Sequence, residues 1–286
     1  MHDVVVVGGG PGGLYTATLL ARAGWSVCLF EEHARAGVPV HCTGVLAAEA
    51  FDEFDVPREA ILNPLSTARF FSPTGLSISH TTATTEALVV DRAIFDQGLH
   101  ARATAAGVTV HMGVRVTGIE VTDQGVTATT SAGPFAARAC VLACGANYSL
   151  HKKLGLGMPA AYLRSAQLEM TADHLGDVEV HFGNDVAPKG FAWVVPVRRG
   201  NDTFARVGLM CDRDASGYFR RHALRARDAW RLSVPTSAAA PAPRQKLLPL
   251  APIDKTFAPR VLAVGDAAGL VKGTTGGRAD ASAATR

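Results

Sequence analysis

The chain opens on Val4–Val7, a short run with no polar position, and then breaks into glycine. A fully apolar, β-branched run of this length predicts a buried parallel strand. The stretch "LYTATLLARAG" has helical spacing and ends at Gly24, a residue suited to the position just past a helix. "SVCLF" predicts a second strand, giving one βαβ start of about 30 residues. Glu31–Thr43 has no period and reads as an irregular loop. A helix is predicted over Asp91–Ala106, with Ile94, Phe95, Leu99 and Ala103 on one face. "VTVHMGVRVTGIEV" and "GVTATTS" predict strands joined at "DQG", and "RACVLACG" predicts another apolar strand that ends in glycine.

From about Tyr162 the period becomes two. "AQLEMTA", "DVEVHF", "FAWVVPV" and "TFARVGLM" alternate, which predicts an antiparallel sheet with one buried face. A helix is predicted over Ala215–Arg231, with Phe219, Ala223, Ala226 and Trp230 on one side and arginines elsewhere. It reads as a docked helix with a solvated basic face, or as one that meets anionic headgroups. "SAAAPAPR" is a connector, and "PRVLAVGDAAG" returns to the opening pattern of an apolar strand followed by glycine. The expected fold class is α/β. A Rossmann-like domain with a parallel sheet is expected over 1–65, 86–155 and 256–286. An antiparallel β-sheet domain that binds substrate is expected over 66–85 and 156–255.

Composition narrows the function classes. The chain has 286 residues, 48% hydrophobic and 19% charged, enough for a large core. A formal charge of +3, without clustered basic residues and interleaved aromatics, speaks against nucleic acid as a partner. No apolar run approaches the roughly 18 residues of a spanning helix, and the start lacks the basic region of a signal peptide. The expected location is cytoplasmic, with contact to a membrane surface left open. The five cysteines lack CxxC spacing and the histidines lack HxxxH spacing, so neither a disulfide framework nor a metal site is expected.

The first motif with chemistry is "VVVVGGGPGG", which holds Gly8-x-Gly10-x-x-Gly13, with Pro11 and Gly12 between. The first glycine permits the tight turn out of the strand. The second lets a pyrophosphate approach the backbone, and the third lets the helix pack on the sheet. The phosphates then meet the positive end of the helix. Glu31 and Glu32 close the second strand, where a carboxylate can accept from a ribose diol, and Glu31 stands 23 residues past Gly8. The loop lacks the GK[ST] ending of a mononucleotide P-loop.

NAD and FAD both use this turn. "VLAVGDAAGLV" resembles the second FAD-contacting segment of flavoproteins of the p-hydroxybenzoate hydroxylase type. "VVDRAIFDQGLHARATAAG" and "VLACGANYSLHKKLGL" resemble two further segments of that superfamily, in the same order. Two stretches resemble the geranylgeranyl reductase branch. "AGVPVHCTGVL" resembles its cysteine segment. "APKGFAWVVPV", with Pro188, Gly190, Phe191, Trp193 and Pro196, resembles its aromatic signature, with Phe for Tyr and Val195 for Phe. "GDAAGLVKGTTGG" is similar to its flavin loop, with Gly273 for the usual proline and Arg278 for the last glycine.

The resemblance implies FAD as cofactor. Gly265 and Asp266 would lie by the ribityl and pyrophosphate, and Gly276 and Gly277 against the flavin ring. Arg92, Val116 and Gly145 would contribute further cofactor contacts. Phe191, Trp193 and Pro196 would line the substrate site, although Phe191 and Trp193 also fit a plain core strand. Cys42 would be a thiol that delivers a proton or positions substrate, or else a small loop residue. The implied activity is reduction of prenyl C=C bonds on lipids or isoprenoid diphosphates. NAD(P)H or a reduced carrier protein would be the electron donor. A flavin monooxygenase or halogenase fits "GFAWVVP" about equally well. The tail "RADASAATR" lacks the family's Gly-Ile helix start, which implies a chain truncated past the flavin loop and raises the alternative of a non-catalytic FAD-binding fragment.

Overall fold

The computed structural model describes residues 2–233 and 241–271. In chain order the elements begin with β1 (His2–Val7), α1 (Pro11–Arg22), β2 (Val27–Glu31), β3 (Val45–Ala47), α2 (Ala50–Glu53) and β4 (Ile61–Leu65). Next come β5 (Thr67–Phe71), β6 (Ser77–Thr81), β7 (Ala87–Val90), α3 (Arg92–Ala105), β8 (Thr109–Met112), β9 (Val116–Thr122), β10 (Gly125–Thr130) and β11 (Gly133–Leu142). The chain continues through β12 (Tyr162–Thr171), β13 (Val178–His181), β14 (Phe191–Arg199), β15 (Asp202–Cys211) and α4 (Ala215–Trp230). Last are β16 (Arg244–Pro249), β17 (Phe257–Ala258), β18 (Val261–Ala263) and a single 3-10 turn over Gly265–Ala268. The contacts divide the chain into one unit of 1–39, 93–162 and 248–286 and another of 40–92 and 163–247.

The first unit is α/β. Its sheet runs β17-β18-β11-β1-β2-β8 and is parallel from β18 to β8. The apolar opening run predicts this placement: β1 is hydrogen-bonded on both sides, with Val4–Val7 in register with Val27–Phe30 and with Ala139–Leu142. Hairpin β9–β10 extends the sheet antiparallel to the first half of β11. Val5, Cys28, Phe30, Cys140, Leu142, Leu150 and Leu156 make one apolar cluster. Each fully buried leucine contributes roughly 2 kcal/mol over an exposed one.

The second unit is built on a sheet in the order β16-β12-β15-β14-β13-β5-β6, with a small sheet β3-β7-β4. One expectation is corrected here. The large sheet is not wholly antiparallel, because β5 arrives from an earlier stretch of chain and pairs with β13 in parallel. The strand alternation sorts β14 into two faces. Ala192 and Val194 pack with Phe219, Ala223, Ala226 and Trp230 of α4. Val195, Val197 and Trp193 point the other way, onto Val89 and Leu62. Asp214 caps α4 by accepting from the Gly217 amide at 3.0 Å.

His222 of α4 is 3% exposed, and its Nε2 donates to the Trp193 carbonyl, 3.2 Å away. Burial, then the nearby His181, pushes it from 6.5 down to about 4. Burial also lowers His151 in the first unit. A histidine held neutral in the folded state destabilises the fold once the unfolded chain takes up a proton. Stability therefore falls as pH drops below about 6.5. The loss deepens below about 4.5, where the lowered carboxyls of Glu169 and Glu179 begin to protonate in the unfolded chain. Denaturant midpoints recorded across this range will show the decline, and His222→Gln will flatten its upper part.

Candidate cofactor and substrate site

The glycine turn has the close packing its spacing predicts at Gly8 and Gly13. Gly8 has φ +110°, and a Cβ there would stand 2.3 Å from the Ala143 carbonyl oxygen of β11. A Cβ on Gly13 would stand 2.0 Å from the Gly8 carbonyl oxygen, so α1 can approach the turn only with glycine here. A Cβ on Gly10 meets nothing within 4 Å, which leaves that side of the turn open to a ligand. Gly10 is also the N-cap of α1, and no side chain caps the helix. Pro11 occupies the first helical position with Gly12 beside it. The result is a bare, positive helix end beside the open side of the turn.

The structure separates the two glutamates. Glu31 accepts from the Gly9 amide at 2.6 Å and from the His33 amide at 2.9 Å, and its side chain is 12% exposed. Its carboxylate thus stands at the rim of the turn. Glu32 forms a surface ion pair with Arg115 at 2.8 Å.

Across the sheet, β18 leads into the turn Gly265–Ala268. Gly265 has φ +61°, and Gly269, at φ +70°, closes against the Ala251 carbonyl. Two side chains tether this turn. The Tyr148 hydroxyl donates to the Asp266 carbonyl at 2.6 Å, and buried His151 meets the Ala267 carbonyl at 2.7 Å. Sequence reading missed both, although they lie in the segment that begins at Gly145 (φ +62°). Val116 starts β9 and packs on the core of this unit. Gly276 and Gly277, expected at the flavin ring, lie outside the described residues.

In the second unit one sheet face gathers the remaining candidates. Two rows cross its strands: Gln167, Gly208 and Trp193, then Glu169, Arg206 and Val195. The Trp193 ring lies flat over Gly208, where a Cβ would come within 2.5 Å of it. Its buried indole nitrogen has no hydrogen-bond partner among the described residues. Phe191 and Phe182 continue the aromatic row, with centroids 5.8 and 6.2 Å apart in turn. Pro196 does not join them. Continuous alternation along β14 puts it on the opposite face, with Ala192 and Val194, so the expected grouping of three is corrected to two.

The loop with Cys42 sits on the same rows. Thr43 donates to Gln167 Oε1 at 2.8 Å, and the Gly44 amide donates to Cys42 Sγ at 3.4 Å. Cys42 is exposed, whereas Cys28, Cys140 and Cys211 are buried. Burial pushes the Cys28 and Cys144 thiols up to about 11. Arg92 opens α3, its stem 3.2 Å from the position a Gly44 Cβ would take. Among the described residues no cluster of His, Cys, Asp or Glu could hold a metal ion.

A strand, a glycine turn, a bare helix end and a rim carboxylate define a dinucleotide-binding protein of the Rossmann class. A family model for the FAD binding domain matches residues 1–277. A digeranylgeranylglycerophospholipid reductase of Methanoculleus marisnigri is 31% identical, over 96% of this chain and 72% of the relative. Among solved structures, a geranylgeranyl bacteriochlorophyll reductase-like protein from Thermoplasma acidophilum superposes with a TM-score of 0.84. It is 23% identical, over 97% of this chain and 74% of the other. A flavin-dependent brominase reaches a TM-score of 0.69 at 16% identity, over 93% and 72% of the two chains, a likeness of fold alone. The chain belongs to the geranylgeranyl reductase family of FAD-dependent oxidoreductases.

Gly13→Ala puts a methyl group on the Gly8 carbonyl and separates helix from turn. The variant is expected to purify with less than about a tenth of the wild-type flavin, read from visible absorbance, a loss of at least 1.4 kcal/mol in binding. Glu31→Ala removes a charged acceptor and is expected to weaken FAD by about tenfold.

Proposed function

We propose that this enzyme saturates C=C bonds of prenyl chains carried on lipids or isoprenoid diphosphates. The observation that carries the reading is the shared sheet face, where Trp193 and Phe191 lie in line with the rows that hold the Cys42 loop. It is supported by the reductase relative, whose name gives a digeranylgeranylglycerophospholipid as what it acts on. An isolated alkene has no polar handle, so the enzyme must hold it by shape. Aromatic rings on a rigid strand offer large apolar area at low entropy cost.

The roles we assign follow from that chemistry. Gly8, Gly10 and Gly13 hold the cofactor's pyrophosphate at the helix end. Glu31 accepts from its ribose, and Gly265 and Asp266 bound the other end. When bound and reduced by the electron donor, the flavin would supply a hydride, the two electrons that one alkene carbon needs. Cys42 Sγ holds the proton that the second alkene carbon takes up. Phe191 and Trp193 exclude water and align the chain. The first unit is then the FAD-binding domain and the second the substrate domain. The electron donor in this reading is NAD(P)H or a reduced carrier protein. The enzyme works from the cytoplasm and meets its lipid at the membrane surface. Among the described residues no helix is long and apolar enough to cross a membrane.

The test is incubation of the dithionite-reduced protein with geranylgeranyl glycerophospholipid under nitrogen, read by mass. Gain of hydrogen pairs is expected. No gain without oxygen, with oxygenated or halogenated product in air, would favour the monooxygenase or halogenase reading instead. Gly208→Ala provides a second check, because its methyl group must displace the Trp193 ring. We expect flavin content to stay near wild type while kcat/KM for the prenyl lipid falls about tenfold, mostly through KM.

A further inference from the structure

Arg206 is a charged residue in the middle of β15 and is 5% exposed. Val195, Phe204 and Gly208 beside it on the same sheet face do not hold its charge. Its cross-strand partner Glu169 does, with Nε donating to Oε2 at 2.8 Å. Glu169 is fixed in turn by Arg199, which donates to it at 2.8 and 3.2 Å and pairs with Asp91. Two guanidinium groups and two carboxylates thus balance in one network. Burial raises the Glu169 carboxyl, but the two arginines outweigh it and keep the group ionised.

What the network leaves over is the far end of the Arg206 fork. Nη1 donates to the Val90 carbonyl at 2.9 Å and also to the carbonyl of Thr43. Those carbonyls belong to β7 and to the loop residue next to Cys42. Gly44 is clamped between them: its φ is +71°, its carbonyl accepts from the Val90 amide at 2.8 Å, and its own amide donates to the Cys42 sulfur. A Cβ on Gly44 would fall 2.7 Å from both Arg206 Nη1 and the Val90 oxygen. A surface loop does not need a buried guanidinium to hold it. Removing a charge from water is costly, and apolar residues of similar volume would stabilise such a sheet face as well.

We propose that Arg206, oriented by Glu169, is a positioning residue for Cys42, fixing the Thr43–Gly44 backbone so that the thiol has one orientation on the substrate face. This rests on the reading of Cys42 as proton source. It goes beyond that reading in naming what sets the thiol, and the first readout below does not depend on turnover.

The test is the rate of Cys42 alkylation by iodoacetamide in the FAD-loaded enzyme, followed by peptide mass. Cys42 is the exposed thiol of the five. Arg206→Lys keeps the charge beside Glu169 but loses the fork that spans two carbonyls. We expect the alkylation rate to fall about tenfold as the Gly44 amide leaves the sulfur. Turnover at saturating lipid should fall by a similar factor, with KM within about twofold. An alkylation rate within twofold of wild type in folded Arg206→Lys overturns the proposal, whatever happens to melting temperature or turnover. If Arg206→Lys does not fold, Gly44→Ala, which breaks the same clamp from the loop side, is judged by the same two outcomes. Full turnover in Cys42→Ser would sink the proton-source reading, and the alkylation rates would still decide whether Arg206 sets the thiol.

Discussion

The contact between Gly13 and the carbonyl of Gly8 is the constraint on which the first unit depends. It brings α1 against the turn with no side chain between, and a methyl group at either position would meet a backbone oxygen. Much of the unit follows from that approach. β1 must sit inside the parallel sheet, so Val4–Val7 carry no polar side chain. The helix end must stay bare, so Gly10 caps it without a side chain. Glu31, at the end of β2, reaches the same turn through the Gly9 amide. A loop with these properties can receive a phosphate, and the family match to the FAD binding domain agrees with that use.

The second unit solves a different problem. The loop at Thr43 and Gly44 is held on its sheet face by Gln167 and Arg206. This chain joins a charged quartet, Arg206, Glu169, Arg199 and Asp91, buries Arg206 most deeply, and lets that guanidinium reach out to the backbone. Such a quartet is weak evidence for stability, since buried ion pairs often do no better than apolar replacements. Its advantage lies in orientation, because a planar fork fixed at one end determines where two carbonyls stand at the other.

The parts of the fold with a strong period were legible. The βαβ start, α3, α4 and the alternating strands stand where the pattern placed them, α3 and α4 to within a residue, whereas α1 and β12 begin three and four residues earlier. What escaped was information that passes between distant stretches. The parallel pairing of β5 with β13 joins residues about a hundred positions apart, and neither strand records its partner. Pro196 was grouped with Phe191 and Trp193 because a motif was read as a string, although period two already assigns it to the other face. Spacing from Gly8 favoured Glu31, but its neighbour Glu32 was excluded only by folding, which gives Glu31 the Gly9 amide and Glu32 the Arg115 guanidinium. Arg206 carried a signal that could have been used: one arginine within a run of buried positions needs a buried partner. Tyr148 and His151 carried none, since the carbonyls they hold lie more than a hundred residues away.

The central claim is that the flavin of this enzyme passes its electrons to a prenyl double bond. The most direct measurement is anaerobic stopped-flow absorbance of the prereduced enzyme mixed with a geranylgeranyl lipid. If the claim holds, the oxidised flavin band returns without oxygen, at a rate that rises and saturates with lipid concentration. A band that stays bleached at every lipid concentration, and returns only when air is admitted, would contradict it.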